Sequence, residues 1–387
     1  MRRLSFLKKK GPPGKLLICC GAGGVGKTTV SAAIGLQAAL AGYKTLVLTI
    51  DPAKRLADTL GMKGLGNVEQ RVSAQRLARL GLEPAGELYA MMLDPKQTFD
   101  DLVERYSHSD ERLKTILSNR YYQHISSALA GTHEYMAMEK LYEIYQKRTY
   151  DLIVLDTPPN RRALDFLDAP ERLLNLLGSR PVRLLMKPYF GLGRVGFYLF
   201  TAVTSPILQA ISRLLGLEML KDIADFLRAA DDEMFEGFRQ RAAQVRQILR
   251  DPDALFLVVA TPSPAALSEA AFFYHRLQDQ KFNFGGFILN RVHPRYMSSP
   301  VSEGEFTRWV EANEVLPPRL LDKLVTNFQT IERIAESDDR QIQGLLAKTG
   351  ASAGIQRIPH FETDIHGLAD LKKVSQFLVE GNEEAGR

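Results

Sequence analysis

Gly21-Ala22-Gly23-Gly24-Val25-Gly26-Lys27-Thr28 stands between an apolar run, Leu16 to Cys20, and a helical pattern running from Thr29 to Leu40. The spacing G-x-x-x-x-G-K-[ST] between a strand and a helix describes a loop whose successive backbone N–H groups converge on phosphates. Lys27 is placed to reach terminal phosphate oxygens and Thr28 to offer its hydroxyl to Mg²⁺. Gly21, Gly23, Gly24, Val25, Gly26 and Thr29 are expected around the same phosphates. A helix N-terminus directly behind the loop adds a positive dipole end to that anion site.

Working outward, apolar runs of strand length recur at Leu46 to Ile50, Leu88 to Leu93, Leu152 to Leu155, Leu255 to Ala260, Phe287 to Leu289 and Gly354 to Ile358. They are continuous rather than alternating, so both faces of each strand are covered. A mainly parallel sheet with helices on both sides follows, a doubly wound α/β architecture. Asn160 to Asp253 carries no strand signal and is too long for a plain crossover, which marks an insertion. Within it Ile223, Phe226, Leu227, Ala230, Met234, Phe238, Val245 and Ile248 fall on one helical stripe. A second helical block, Thr98 to Gln146, carries Met136, Met138, Leu141 and Ile144. The expected organisation is a basic, disordered leader at 1–14 and one domain over 15–387. A helical subdomain is drawn from about 98–147 and 160–253 of that domain.

Three polar positions end apolar strands. Asp156 closes Leu152-Ile-Val-Leu-Asp and offers a carboxylate where Mg²⁺ or its water shell needs one. Asp51 follows another strand and stands where an attacking water could be oriented, although a carboxylate before Pro52 also suits a helix cap. Asn290-Arg291 ends a third, with an amide suited to the amino group and ring nitrogen of adenine. The absence of an Asn-Lys-x-Asp signature there favours ATP over GTP. Pro359 and the segment to Gly367 are candidates for the facing wall of the base.

Together these stretches resemble the ArsA and GET-pathway ATPases, within the larger P-loop group that includes MinD, ParA and nitrogenase iron protein. The resemblance rests on Gly-Gly-Val-Gly-Lys-Thr-Thr at 23–29, Asp-Pro-Ala-Lys-Arg-Leu-Ala-Asp at 51–58 and Asp156-Thr-Pro-Pro-Asn-Arg-Arg-Ala-Leu, with Asn290-Arg291 beyond. Ala130-Gly-Thr-His-Glu-Tyr-Met-Ala-Met-Glu-Lys-Leu-Tyr142 resembles a bacterial branch of the family. The resemblance implies ATP and Mg²⁺ as ligands. It also implies Thr28 as metal ligand, Asp156 as metal anchor through water, Lys27 and Asp51 as catalytic groups, and Asn290 as adenine reader. A homodimer, or a heterodimer with a related ATPase, is implied as well, together with a hydrophobic or membrane-protein client. Three departures stand out. Ala22 replaces the lysine that reaches across the family's dimer, so its charge is either missing or supplied by another residue such as Arg161, Arg162 or Arg55. The zinc-binding Cys-x-x-Cys pair is missing, so no zinc is expected. A metalloid-binding cysteine triad cannot be built from Cys19 and Cys20, the only two cysteines.

Composition narrows the partners. The 387 residues carry a formal charge of +5, but residues 1–15 hold six basic side chains and no acid, leaving −1 for the rest. A globular part without a net basic field gives nucleic acid no electrostatic footprint. Two adjacent cysteines in an apolar strand fit a reducing cytoplasm, with at most a peripheral contact at the inner face of the membrane. The uncharged run Val195 to Ser212 is read as core helix or client groove, since Gly196, Pro206 and Gln209 weaken a membrane span. Two other readings stay open: a MinD/ParA-like positioning ATPase, and an anion-pump subunit. His124 and His133 form no ligand pair.

Overall fold

The structure is a computed structural model. It describes residues 15–158 apart from 52, 54, 108, 121, 124, 125 and 127–131, then 232–296, 308, 312, 317–350 and 354–378. It divides into two compact units, one within Met1–Met91, Thr149–Ala163 and Arg250–Arg387, the other within Met92–Arg148 and Leu164–Leu249.

The first unit is built on eight strands: β1 Lys15–Cys20, β2 Lys44–Thr49, β3 Gln70–Arg71, β4 Glu87–Met92, β5 Leu152–Asp156, β6 Ala254–Ala260, β7 Phe284–Val292 and β8 Ile355–Pro359. Their order in the sheet is β3-β4-β2-β5-β1-β6-β7-β8. β1 runs parallel to both of its neighbours, β5 and β6, and β2, β7 and β8 continue the parallel pairing. Leu16, Leu17, Ile18, Cys19 and Cys20 are all buried, as a strand covered on both faces requires. β1 therefore lies in the middle of the sheet, where the strand order turns outward to either side and a crevice opens beyond the carboxyl ends.

The doubly wound parallel reading holds, with two differences. β3 pairs antiparallel with β4 through Gln70↔Ala90 and Arg71↔Tyr89. Its two residues are polar and exposed, so they carry no apolar run, and only the partner strand defines them. β7 is longer than Phe287 to Leu289 and does not stop at Asn290. It continues to Val292 through a bulge: Leu289 faces Arg357 and Val292 faces Pro359, so Asn290 and Arg291 together oppose Ile358. Arg291 takes the left-handed conformation that such a bulge needs, with φ 59°.

Helices of this unit include α1 Lys27–Leu40, α2 Arg55–Thr59 and α3 Ala74–Arg79. In the second unit, α4 Pro95–Tyr106, α5 Asp110–Ser118, α6 Thr132–Lys147 and α7 Asp232–Leu249 form a helical body, with α6 packed on α4 and α7. Asp94 caps α4 by accepting from Gln97 N at 2.9 Å, and Pro95 opens the helix where its missing N–H costs nothing. Met136, Met138, Leu141 and Ile144 are buried, as the helical pattern implies. On α7, Val245 is buried but Ile248 only half so, while Arg241 is buried. Arg241 Nε binds both oxygens of Glu139, at 3.0 and 2.7 Å, its Nη1 donates to Tyr106 Oη, and Tyr135 Oη donates to Glu139 at 2.6 Å. Reading the stripe as wholly apolar missed this buried pair, which a charge on the inner face of a helix requires. Ile223, Phe226, Leu227, Ala230 and the run Val195 to Ser212 lie outside the described residues, as does the leader.

The first unit is completed by α8 Pro264–Asp279, α9 Pro318–Thr349 and α10 Gly367–Phe377. Among the described residues, no helix is long and apolar enough to cross a membrane.

Candidate functional site

The turn from β1 into α1 folds as it does because of two glycines. Gly21 has φ 149°, and a Cβ there would lie 2.1 Å from Val259 O on β6. Gly26 caps α1 at φ 90°, and a Cβ there would lie 2.3 Å from Asn290 Nδ2. Both positions demand the absence of a side chain: the loop lies directly against neighbouring strands in conformations that L-residues seldom adopt. Gly24, at φ 76°, meets nothing within 4 Å and borders the open cavity.

Over this loop is a cavity of about 770 Å³, within the range that holds small-molecule ligands. Gly24, Gly26, Lys27, Thr28, Thr29 and Asp51 line one part of it; Arg55, Asp58 and Thr157 also face it. Arg291, Ile365, His366 and Gly367 contribute to its lining as well. Lys27 is buried, and its ammonium donates to two carbonyls of its own loop, Gly21 O at 3.1 Å and Ala22 O at 2.7 Å. Burial lowers the lysine's pKa, and the Asp156 charge opposes that shift.

Asp156 is fully buried under the loop. Its Oδ2 accepts from Thr28 Oγ1 at 2.8 Å and Thr49 Oγ1 at 2.9 Å, and its Oδ1 takes a long bond from Ser31 Oγ at 3.5 Å. Burial pushes its pKa up from 3.8 to about 6, and the threonine hydroxyls pull the other way. Hard oxygens, a hydroxyl on a carboxylate beneath the cavity, fit Mg²⁺, which keeps much of its water and takes few protein ligands. Asp51 reaches the cavity wall and accepts from Ala53 N at 3.0 Å, so it also makes the local turn that its place before Pro52 suggests.

The structure brings Lys27, Thr28, Thr29, Asp51 and Asp156 together, with Gly24 and Gly26 in the lining. Val25 directs its side chain into the core and presents only its backbone. Asn290 is placed differently from a free base reader. Its Nδ2 donates to Val25 O at 2.9 Å and its Oδ1 accepts from Arg291 N at 3.0 Å, so the amide braces the loop and the bulge, with one N–H and one lone pair to spare. Arg291, rather than Asn290, lines the cavity. Pro359 ends β8 opposite Val292 and is not in the lining, whereas Ile365 to Gly367 are. Of the arginines considered in place of a lysine at Ala22, Arg55 lines the cavity, and Arg161 and Arg162 lie outside the described residues.

Thr49 and Ser31 were not legible as site residues, whereas His366 falls in the segment to Gly367 expected to face the base. A threonine is an ordinary strand residue and a serine near a helix start an ordinary one, and their partners are far away in the chain. The one signal available was a buried-strand hydroxyl two residues before Asp51.

Comparisons with known proteins identify the family. The family model described as an anion-transporting ATPase matches residues 14–332. A putative arsenical pump-driving ATPase 1 of Aquifex aeolicus is 24% identical over 380 residues, covering 95% of this chain and 79% of that protein. The ATPase GET3 of Rhodotorula glutinis is 30% identical over 280 residues, covering 72% of this chain and 70% of its own. The ATPase GET3 of Malassezia globosa is 29% identical over 159 residues, and the match spans 43% of that protein and 41% of this chain. With a phosphate loop set at the centre of a parallel sheet and a family match over most of its length, the chain belongs to the ArsA family of anion-transporting ATPases.

Proposed function

We propose that this chain binds and hydrolyses ATP with Mg²⁺ in the cavity over Gly21 to Thr28, and that its nucleotide state governs dimerisation and the holding of a hydrophobic or membrane-protein client. The observation that carries the catalytic part is the convergence of Lys27, Thr28, Asp51 and, beneath them, Asp156 on one cavity of phosphate-binding form. Backbone N–H groups of the loop bind the phosphates, and Lys27 exchanges its two loop carbonyls for phosphate oxygens. Thr28 and, through water, Asp156 would hold the cation, which would supply positive charge against that developing on the transferred phosphoryl group. Asp51 orients the attacking water. Adenine lies toward Arg291 and the Ile365 to Gly367 segment, with the spare N–H and lone pair of Asn290 available to it.

The client reading rests on the resemblance to the GET-pathway ATPases, the likeness to ATPases named GET3 and the separate helical unit, and we place the protein in the cytoplasm. A thiol-based metalloid site has no support in this chain. Cys19 and Cys20 are buried in β1, and burial pushes both thiols up to about 12, far from the thiolate that a soft metalloid binds. The testing experiment measures ATP turnover and solution mass of the purified chain with Mg²⁺, in ATP and in ADP, with and without arsenite. Turnover that needs Mg²⁺, a mass that doubles with ATP and no response to arsenite are expected. Absence of turnover under all conditions, including with candidate partner ATPases, overturns the proposal.

Ala22 makes a second prediction. The lysines and arginines of the cavity lining among the described residues are Lys27, Arg55 and Arg291, beside the carboxylates Asp51 and Asp58, with no lysine at position 22 to reach a partner's nucleotide. Ala22→Lys should raise turnover by about tenfold, a fraction of what an added cation at a phosphoryl centre can contribute. Steady-state kinetics of the variant decide it; equal or lower turnover shows that another group already completes the site.

A further inference from the structure

β2 reads Lys44-Thr-Leu-Val-Leu-Thr49, an otherwise apolar buried strand with two internal hydroxyls, Thr45 and Thr49. A hydroxyl taken out of water costs free energy unless it is bonded, so a fully used one in such a strand calls for a reason. Thr45 Oγ1 finds no hydrogen-bond partner among the described residues, and its presence fits ordinary strand preference. Thr49 is different. In the β2–β5 register it lies directly opposite Asp156, and its Oγ1 donates to Asp156 Oδ2 at 2.9 Å. The same oxygen accepts from Asp51 N at 3.2 Å. A hydroxyl has one proton, so these two bonds fix its orientation and give the chain a direction, from the Asp51 amide through Thr49 to the carboxylate.

Asp156 Oδ2 holds the other end of that chain to Thr28, 2.8 Å away on the phosphate loop. Ile50 N donates to Asp156 O at 3.1 Å and adds a backbone tie between the same two segments. We propose that Thr49 is a positioning residue that couples the Asp51 segment to the metal anchor Asp156. A cation held by Thr28 would take a lone pair of its hydroxyl oxygen and leave the proton on Asp156 Oδ2. Thr28 and Thr49 share that oxygen, so any shift of the carboxylate is passed through Thr49 to the Asp51 amide and hence to the carboxylate facing the cavity. Chains of this kind strengthen cooperatively and transmit orientation as well as energy. The inference rests on the hydrolytic reading above and deepens it by naming the group that links the two acidic residues.

The test uses the full chain carrying Thr49→Val, which keeps the branched shape and removes the hydroxyl, and Thr49→Ser, which keeps the hydroxyl. With Thr49→Val, kcat should fall by about tenfold while KM for ATP changes less than about twofold, because the interaction acts on the reacting geometry rather than on nucleotide binding. The Mg²⁺ concentration for half-maximal rate should rise, and Thr49→Ser should restore both. A separate measurement, deuterium uptake of peptides covering residues 50–53 in the nucleotide-free protein, should show faster exchange in Thr49→Val and near wild-type exchange in Thr49→Ser. Unchanged kcat in Thr49→Val overturns the coupling, as does equal impairment of the valine and serine variants, which would assign the effect to packing. Wild-type protein that hydrolyses no ATP overturns the proposed function instead. The exchange measurement then decides the coupling alone: unchanged uptake in Thr49→Val overturns it and faster uptake supports it.

Discussion

Lys27→Ala should reduce ATP turnover by about a thousandfold or more while leaving a folded protein, the magnitude expected when a preorganised charge is removed from a phosphoryl centre. The ammonium is buried at the mouth of α1 and held by Gly21 O and Ala22 O. Those carbonyls keep the charge within the cavity without neutralising it, so it is available to a phosphate at little reorganisation cost. No other cation of the described loop can substitute: Arg55 sits on α2 and Arg291 on the β7 bulge. Burial already lowers the lysine's pKa, so the native fold gains little from this charge and the substitution should leave thermal stability close to wild type. Lys27→Met separates the charge from the packing of the stem. Equilibrium binding of ATP and of inorganic tripolyphosphate, with turnover and a melting curve, checks the prediction. Normal hydrolysis by a folded Lys27→Ala protein removes the loop from its assigned role.

What could be read from the sequence and what could not divide along a physical line. The phosphate loop was legible because its requirements are local: Gly21 and Gly26 are needed for conformations and close approaches set within a strand, a turn and a helix. The parallel sheet was legible because continuous apolar runs such as Leu152 to Leu155 leave few other environments. Asn290 was assigned correctly to the carboxyl edge, yet its amide turns toward Val25 because a bulge against β8 rotates the strand there. A bulge is a property of a strand pair, and Ile358 is far from Asn290 in the chain. Thr49 was invisible for the same reason: its partner Asp156 lies 107 residues on. The buried Arg241 with Glu139 interrupted a stripe that hydrophobic periodicity would have filled with apolar side chains, since periodicity weighs one helix at a time.

Asp156→Asn should cost turnover about 10–100-fold, the range found when a group that orients a metal site from behind is replaced. The same substitution should change the pH dependence of stability in the opposite sense to a loss of structure. In the folded protein burial raises the Asp156 carboxyl from 3.8 to about 6. A raised folded-state value means the protonated form is the better tolerated one, so its contribution to stability is fully present below the unfolded value and is lost as pH rises through about 6. The gap between the two values corresponds to roughly 3 kcal/mol of stability lost by the wild type across that window. Asparagine has no proton to lose there. Its amide oxygen can still accept from Thr28 and Thr49, and its NH₂ can face Ser31, so the variant should show a flatter profile and match or exceed wild-type stability at neutral pH. Melting temperatures of the nucleotide-free proteins between about pH 4 and pH 8, with turnover at neutral pH, test both halves. Parallel stability profiles would show that the carboxylate is as well accommodated as its surroundings allow, and intact turnover would remove it from the metal site. A carboxylate that burial disfavours in its charged form, and that two threonines nonetheless hold beneath the cavity, fits the proposed role toward the ligand better than a role in the sheet.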